Sequence, residues 1–346
     1  MEEFGLDYSE LQTTVEQLLP EQFPLSFEQL IESLSSGELN GLQQIGKEVG
    51  TWVCQSVTFP VEHGIRLLFL ILFSALFSNL SKAFARDSTS HFGFLCVYFL
   101  MAVQVATGFS ASLQIVQEGM ENLCSFVSVL LPMYCISIAF VTGSITAVGY
   151  YQGTAFLLTV FQYIATYCFL PLSQVYLVLS LASCMQKKPI LERMLELIVH
   201  LFSWIRKTLL GIALAFGAVQ GILCPAVDSL KKTAVVRTAS AIPILGSLLN
   251  GMWDTVLGAG TVLKNAIGIG GVLILFLIGL IPMLNLALQY VMYRVLSAVT
   301  EPITQEMTGR FLTHAGIAQK LLFESLFFGI ILFLLLLVVM TKITTA

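Results

Sequence analysis

Residues 266–293, AIGIGGVLILFLIGLIPMLNLALQYVMY, and residues 321–341, LLFESLFFGIILFLLLLVVMT, decide the fold. The first segment contains no charged residue, and the second lies between Lys320 and Lys342. A helix of about 21 residues is about 31 Å long, which matches the hydrocarbon core of a bilayer. Both segments are therefore predicted to be transmembrane helices, and Pro282 is expected to kink the first.

The composition of the whole chain agrees with these two segments. Of its 346 residues, 56% are hydrophobic and only 11% are charged, and the mean hydropathy is +0.86. A soluble domain has about 25% charged residues. A lipid-exposed backbone must satisfy its hydrogen bonds internally, so we predict an all-α, polytopic integral membrane protein. No basic run with interleaved aromatic residues indicates nucleic-acid binding.

Charge divides the chain into two regions. Residues 1–60 hold ten acidic residues and one basic residue, Lys47, and are predicted to be an acidic helical N-terminal region. Residues 61–346 form the helical transmembrane domain. The start, MEEFGLDYSE, lacks the basic and apolar parts of a signal peptide. Three interpretations stay open: the acidic region remains inside, an upstream segment precedes it, or the first hydrophobic helix exports it.

Charged residues and prolines between the apolar runs predict about seven spans. Lys82 and Arg86 follow the first run, Glu118 and Glu121 mark a loop after the second, and a break is expected around Pro171. The spans lie near 63–81, 92–113, 123–142, 153–184, 208–227, 266–293 and 321–341. A third crossing within the uncharged stretch 122–186 is an open alternative.

Residues 190–207 differ from the spans because their polar residues follow a helical period. Leu195, Ile198 and Phe202 share one face, and Glu192 and Glu196 lie on the other. This pattern predicts an amphipathic helix at the membrane interface.

The positive-inside rule favours a cytoplasmic loop at Lys82–Arg86 and an extracytoplasmic N-terminal region. Seven spans then place Lys342 inside. They also place the basic segment 187–207 outside, against the rule. A third crossing in 122–186 would remove that conflict and create another at 228–240.

No catalytic or metal-binding motif is present. The seven cysteines are scattered without CxxC spacing, the four histidines lack HExxH spacing, and no G-x-S-x-G occurs. The sequence GLQQIGK at Gly41–Lys47 is followed by Glu48, where a phosphate-binding loop needs Ser or Thr. We therefore expect neither an enzyme nor a bound cofactor.

A polar stripe on an otherwise apolar segment is the candidate functional feature. At 100° per residue, these side chains fall on one helical face: Ser247, Asn250, Asp254, Gly258, Thr261 and Asn265. The stripe is either the wet face of a surface helix or the lining of a polar path or tight helix contact.

Asp254 is the charged member of this stripe and needs water, a proton or a cation. Candidate partners are Lys231 and Arg237, if the chain folds back at Pro243, and Lys264, about 15 Å further along the helix. Residues 240–265 are accordingly interpreted as a membrane-embedded or re-entrant segment.

The same segment resembles the stage III sporulation protein AE family of endospore-forming bacteria. Four short motifs carry the resemblance: VRT at 236–238, IP-x-x-G at 242–246, DTV at 254–256 and LKN-x-x-G at 263–268. The order of parts also fits along nearly the whole chain. Members of this family usually begin with a signal sequence.

The resemblance implies a membrane subunit of a multi-protein channel between mother cell and forespore. The expected location is the mother-cell membrane around the forespore. The expected partners are other stage III sporulation channel proteins, including a separate ATPase, in an assembly that resembles secretion machinery. The alternative from the residues is a self-sufficient small-molecule permease, since helices interrupted by Gly and Pro occur in transporters.

Overall fold

The computed structural model describes residues 9–18, 50, 58–84, 87–141, 144–185, 191–239, 245–301 and 306–343. Most of the acidic N-terminal region therefore lies outside the described residues. The described side chains are fewer, and those of residues 223–260 are not among them.

Within these ranges the secondary structure is helical, which confirms the predicted fold class. We number the α-helices α1 (Ser9–Leu18), α2 (Thr58–Phe84), α3 (Asp87–Val141), α4 (Ser144–Ile164), α5 (Leu170–Met185), α6 (Glu192–Ala239), α7 (Leu245–Thr300) and α8 (Glu306–Ile343). A π-helical turn, Ala165–Phe169, joins α4 to α5. Helix α1 packs against α3, with Leu11 and Val15 buried.

Five described segments are long and apolar enough to cross a membrane: Leu95–Ala139, Ala147–Met185, Glu192–Gln220, Lys264–Thr300 and Met307–Val338. The described helices thus support a polytopic membrane protein. The predicted count of seven spans is not confirmed.

The loop expected at Glu118 and Glu121 is wrong, because α3 runs through both residues without interruption. Both side chains are exposed, and each accepts a hydrogen bond from a glutamine one turn earlier, Gln114 and Gln117. The two glutamates therefore belong to a polar face of a continuous helix and do not mark a loop.

The predicted interfacial helix 190–207 and the predicted span 208–227 form one helix, α6. Leu195, Ile198 and Phe202 are buried in the bundle. Residues 192–206 are therefore amphipathic, as predicted. Their apolar face packs on neighbouring helices, and their polar face lines a cleft described below.

The irregularity expected near Pro171 takes the form of the π-helical turn. The backbone N–H of Leu170 bonds to the carbonyl of Ala165, five residues earlier. Pro171 has no N–H, and its ring would crowd the carbonyl four residues before it, so a local widening of the helix accommodates it.

Helices α3, α7 and α8 form the packed centre of the bundle. Gly279 of α7 lies against Ile330 of α8 and Leu123 of α3, and a Cβ there would stand 2.5 Å from Ile330 Cδ1. Gly119 of α3 similarly faces Leu326 and Pro282. Small residues let these backbones approach closely, which is how apolar helices associate where no hydrophobic driving force acts between them.

The contacts fix the directions of the helices. The edge of one ring meets the other where Tyr98 contacts Phe311, and Gly119 lies against Leu326, so α3 and α8 run parallel. Gly271 meets Leu130 and Gly279 meets Leu123, so α7 runs antiparallel to α3.

The starts of α3, α6 and α8 consequently lie together with the ends of α2, α5 and α7, and we name this the Glu192 end. This arrangement corrects the predicted topology. Residues next to Glu192 share an end with Lys82, so the violation of the positive-inside rule expected at 187–207 disappears. The end of α6, with Lys231 and Arg237, lies at the opposite end, so the conflict at 228–240 takes its place. Lys342 lies near the opposite end, so its predicted place beside Lys82–Arg86 is wrong.

Candidate functional site

A charged cleft of about 630 Å³ opens among α5, α6, α7 and α8. Its lining combines ionisable and apolar side chains: Tyr176, Glu192, Leu195, Glu196, Val199, His200, Ser203, Arg206, Arg294, His314, Ile317, Lys320, Leu321 and Glu324. We name this space the α6–α8 cleft.

Two ion pairs between α6 and α8 lie along the cleft. Glu192 pairs with Arg310 at the Glu192 end of the bundle. Deeper in the bundle, Arg206 Nη1 donates to Glu324 Oε2 over 2.5 Å, and Lys320 Nζ lies 3.4 Å from Glu324 Oε1. The side chains of Arg206 and Glu324 are only 26% and 21% exposed.

The spacing of the two pairs sets the register of α6 and α8. On α6, Arg206 comes 14 residues after Glu192. On α8, Glu324 comes 14 residues after Arg310, so the two helices run parallel. Fourteen residues correspond to about 21 Å. The cleft therefore reaches from the Glu192 end into the predicted span 321–341, and ionised residues at such depth are expensive and usually functional.

Two histidines face the cleft. His200 Nδ1–H donates to the carbonyl of Glu196, 2.9 Å away. His314 Nδ1 is hydrogen-bonded to the Tyr176 hydroxyl over 3.1 Å, which links α8 to α5. No group of three metal-binding side chains occurs in the described part of the chain. The ionisable side chains of its lining suit the cleft to water and polar solutes.

A buried polar cluster lies on the opposite side of α8. Gln319 Nε2 donates to Ser112 Oγ over 3.0 Å, and the single proton of the Ser112 hydroxyl is shared between two acceptors, Gln289 Oε1 and the Gly108 carbonyl. All three side chains are fully buried. The Gln289 amide nitrogen and the Gln319 amide oxygen find no hydrogen-bond partner among the described residues.

A second cluster lies about two turns away on α3. Gln104 Nε2 donates to His63 Nδ1 over 3.3 Å, so Nε2 of the neutral ring carries the proton and donates to the Tyr293 hydroxyl, 3.2 Å away. Gly108 leaves room for the His63 ring. These bonds tie α2 and α7 to α3.

The stripe proposed from sequence lies on α7, which runs without a break from Leu245 to Thr300. Residues 245–265 thus continue the following span rather than turning back before it, contrary to the re-entrant interpretation. A continuous helix keeps Ser247, Asn250, Asp254, Gly258, Thr261 and Asn265 on one face. The side chains of the first four lie outside the described residues.

The two described members of the stripe, Thr261 and Asn265, are half-buried. The buried oxygen Asn265 Oδ1 receives no hydrogen bond from the described residues. Lys264 is completely buried. Lys231 and Arg237 lie on α6, and their side chains are also outside the described part, so the suggested partners of Asp254 stay a prediction.

The sequence alone does not reveal the cleft, because its two halves are far apart in the chain. The polar period of 192–206 was visible, but its match with Arg310, His314, Lys320 and Glu324 was not. The useful signal was Glu324 inside an otherwise apolar span, since an isolated carboxylate there requires a cation.

Comparison with known proteins gives a consistent answer. A family model described as stage III sporulation protein AE matches residues 25–344. The stage III sporulation protein AE of Bacillus subtilis (strain 168) is 25% identical over 238 residues. The match covers 68% of this chain and 60% of that relative, so the chain spans less than two thirds of the relative's length. No solved structure matches.

Proposed function

Because the chain belongs to the stage III sporulation protein AE family, we propose that it is a membrane subunit of the channel between mother cell and forespore. In this role it acts as a structural platform or as part of the conduit, in the mother-cell membrane that surrounds the forespore. The family match over residues 25–344 is the observation that carries the proposal.

The geometry supports a membrane role of this kind. The exterior of the bundle exposes large apolar side chains such as Phe69, Trp204 and Phe276. Its interior holds two buried polar clusters and a charged cleft at the depth of the apolar spans. A platform needs rigid helix contacts, and a conduit needs polar groups shielded from lipid.

Deletion of the gene in a sporulating host tests the role directly. We expect engulfment to proceed and late transcription in the forespore to fail, measured with a forespore-specific reporter. Normal reporter activity and normal spore yield would refute a role in the channel.

Dependence on partners distinguishes a channel subunit from a self-sufficient permease. We propose that the other stage III channel proteins, including a separate ATPase, supply the energy. Purified protein in liposomes should then hydrolyse no ATP and accumulate no solute by itself. ATP hydrolysis that persists after removal of contaminating ATPases would contradict this proposal.

The α6–α8 cleft gives a residue-level test of the same function. Glu324→Gln removes the carboxylate that faces Arg206 and Lys320, which costs about 1–3 kcal/mol because two cations lose their partner. We expect lower spore yield and a lower unfolding temperature in detergent.

The exchanged double variant Arg206→Glu/Glu324→Arg is the matched control. It restores opposite charges at positions 206 and 324 but leaves Lys320 beside an arginine, so it should recover part of the unfolding temperature. Equal loss in the single and double variants would show that the pair does not stabilise the bundle.

A further inference from the structure

One face of α3 is polar over the thickness of a bilayer. Between residues 104 and 131, all of the exposed side chains are polar. They are Thr107, Ser110, Gln114, Gln117, Glu118, Glu121, Ser125 and Ser128. At 100° per residue these positions fall within about 100° of the helix circumference. From Thr107 to Ser128 they extend about 32 Å. We name this face the α3 stripe.

The stripe lies beside the most apolar part of the bundle. Ser112, Gly119 and Leu130 of α3 contact Gln289, Pro282 and Gly271 of α7, respectively. Ser112 and Gly119 also contact Gln319 and Leu326 of α8. The adjacent helices α7 and α8 contain the most apolar 18-residue stretches of the described spans, with mean hydropathies of 2.6 and 2.8. The stripe is therefore at bilayer depth.

The outward faces of α7 and α8 at this depth carry exposed phenylalanines. Phe276 of α7 is 45% exposed, and Phe327 of α8 is 41% exposed. Those faces suit lipid chains, whereas carboxylates and amides in contact with lipid chains would be strongly disfavoured. The stripe must face water or polar protein.

The chemistry of the stripe is acidic and hydroxylic. Gln114 Nε2 donates to Glu118 Oε1 over 2.9 Å, and Gln117 Nε2 donates to Glu121 Oε1 over 3.0 Å. These bonds hold both carboxylates along the helix near the middle of the stripe. The stripe itself contains no lysine or arginine.

We propose that the α3 stripe is the wall of a water-filled lumen, enclosed by several copies of this chain, through which hydrated cations pass more readily than anions. The proposal rests on the proposed function and assigns the conduit to named residues. One stripe covers only part of a circumference, so other chains must complete the wall. Dry contact between two stripes would bring Glu118 and Glu121 of both copies together without a cation, and water between the copies avoids that repulsion.

Rings of acidic side chains favour cations in channels, and Glu118 and Glu121 would form such rings. Serine and threonine hydroxyls along the rest of the stripe can replace water around a passing ion. The structure thus assigns selectivity to the two glutamates and general wetting to the hydroxyls.

Water access is the first test. Single cysteines at Ser110 and Ser125 are introduced into the full chain after its seven cysteines are replaced by alanine. Membranes from sporulating cells are treated with a water-soluble maleimide. We expect stripe cysteines to react at least tenfold faster than the matched lipid-facing controls Phe276→Cys and Phe327→Cys. Equal rates would overturn the proposal.

Ion selectivity is the second test. Purified protein in planar bilayers should conduct and prefer potassium to chloride. Glu118→Gln/Glu121→Gln should lower that preference several-fold, whereas Glu62→Gln, an exposed glutamate on α2, should not. An unchanged preference in the double variant overturns the assignment.

The outcomes separate this proposal from the proposed function. Fast labelling without any conductance by the purified chain would assign the rest of the wall to a partner subunit and overturn enclosure by copies. Selective conductance by a chain that is dispensable for forespore transcription would refute the sporulation role and leave the lumen standing.

Discussion

Asp254 shows how a single ionisable residue in an apolar chain demands an explanation. It is the only charged residue between Arg237 and Lys264. An ionised carboxylate at the bilayer centre costs about 2.5–3.5 kcal/mol on insertion scales. The structure places it on the continuous helix α7, at least two turns from the buried Lys264 on the same helix. It must therefore reach water, hold a proton or meet a cation from another helix.

We predict that Asp254→Leu abolishes sporulation while the protein still accumulates in the membrane. This prediction rests on the hypothesis that the stripe on α7 faces protein or a polar path, where a leucine removes a needed group but does not hinder insertion. Spore yield and membrane immunoblots measure the two effects. Wild-type sporulation of Asp254→Leu/Asn250→Leu would show that the stripe is only a solvated surface.

The buried cluster of Ser112, Gln289 and Gln319 makes a different kind of prediction. Ser112→Ala leaves Gln289 and Gln319 without their shared partner, which should cost about 1–3 kcal/mol. Replacing all three side chains, Ser112→Ala, Gln289→Leu and Gln319→Leu, removes the unmatched groups together and should recover most of that loss. Unfolding temperatures in one detergent compare the variants. A triple variant less stable than Ser112→Ala would contradict this account.

Among the helices, α8 connects the packed centre of the bundle to the α6–α8 cleft, because its two faces have different neighbours. One face places Gln319 and Ile330 against α3 and α7, and the other places Lys320 and Glu324 in the α6–α8 cleft. The glycine at position 279 permits this packing, since Ile330 is 4% exposed and has little room to move.

We expect Gly279→Ala to destabilise the protein by about 1–3 kcal/mol, the usual cost of overpacking. Gly211→Ala on α6 is the control, because a Cβ at Gly211 meets nothing within 4 Å. Alanine is the better helix former, so the control should gain about 0.5–1 kcal/mol. Thermal unfolding of the purified variants checks both signs, and equal effects would rule out the packing explanation.

For the molecule in its membrane, the bundle makes a definite prediction of sidedness. The connection between α2 and α3 and the start of α6 share the Glu192 end, and α8 finishes at the other end. Basic residues around Lys82, Arg86 and Arg193 favour the cytoplasm at the Glu192 end.

Cysteines at positions 88 and 190 should therefore be protected from an impermeant reagent in intact cells, and one at position 345 should react. A cysteine at position 40 should also react, as the acidic N-terminal region is predicted to be extracytoplasmic. Protection at 190 that differs from protection at 88 would contradict the parallel packing of α3 and α6. Labelling at 88 but not at 40 would reverse the orientation.

The sequence by itself determined the all-helical membrane fold, since 28 uncharged residues at 266–293 leave a helix little alternative in lipid. It also determined the family, through short motifs between Val236 and Gly268. Helix boundaries were harder to predict from the sequence. Polar residues such as Glu118, Glu121 and those of 192–206 give the same sequence pattern whether a helix ends there or continues with one face in water.

Only the tertiary structure showed which of these polar residues meet. Glu192 and Arg310, or Ser112 and Gln289, are separated by more than a hundred residues and become neighbours through packing. The same packing revealed that every exposed residue along 32 Å of α3 is polar, because exposure depends on which face the other helices cover. Periodicity can divide a helix into faces, but the neighbouring helices decide which face is left for water.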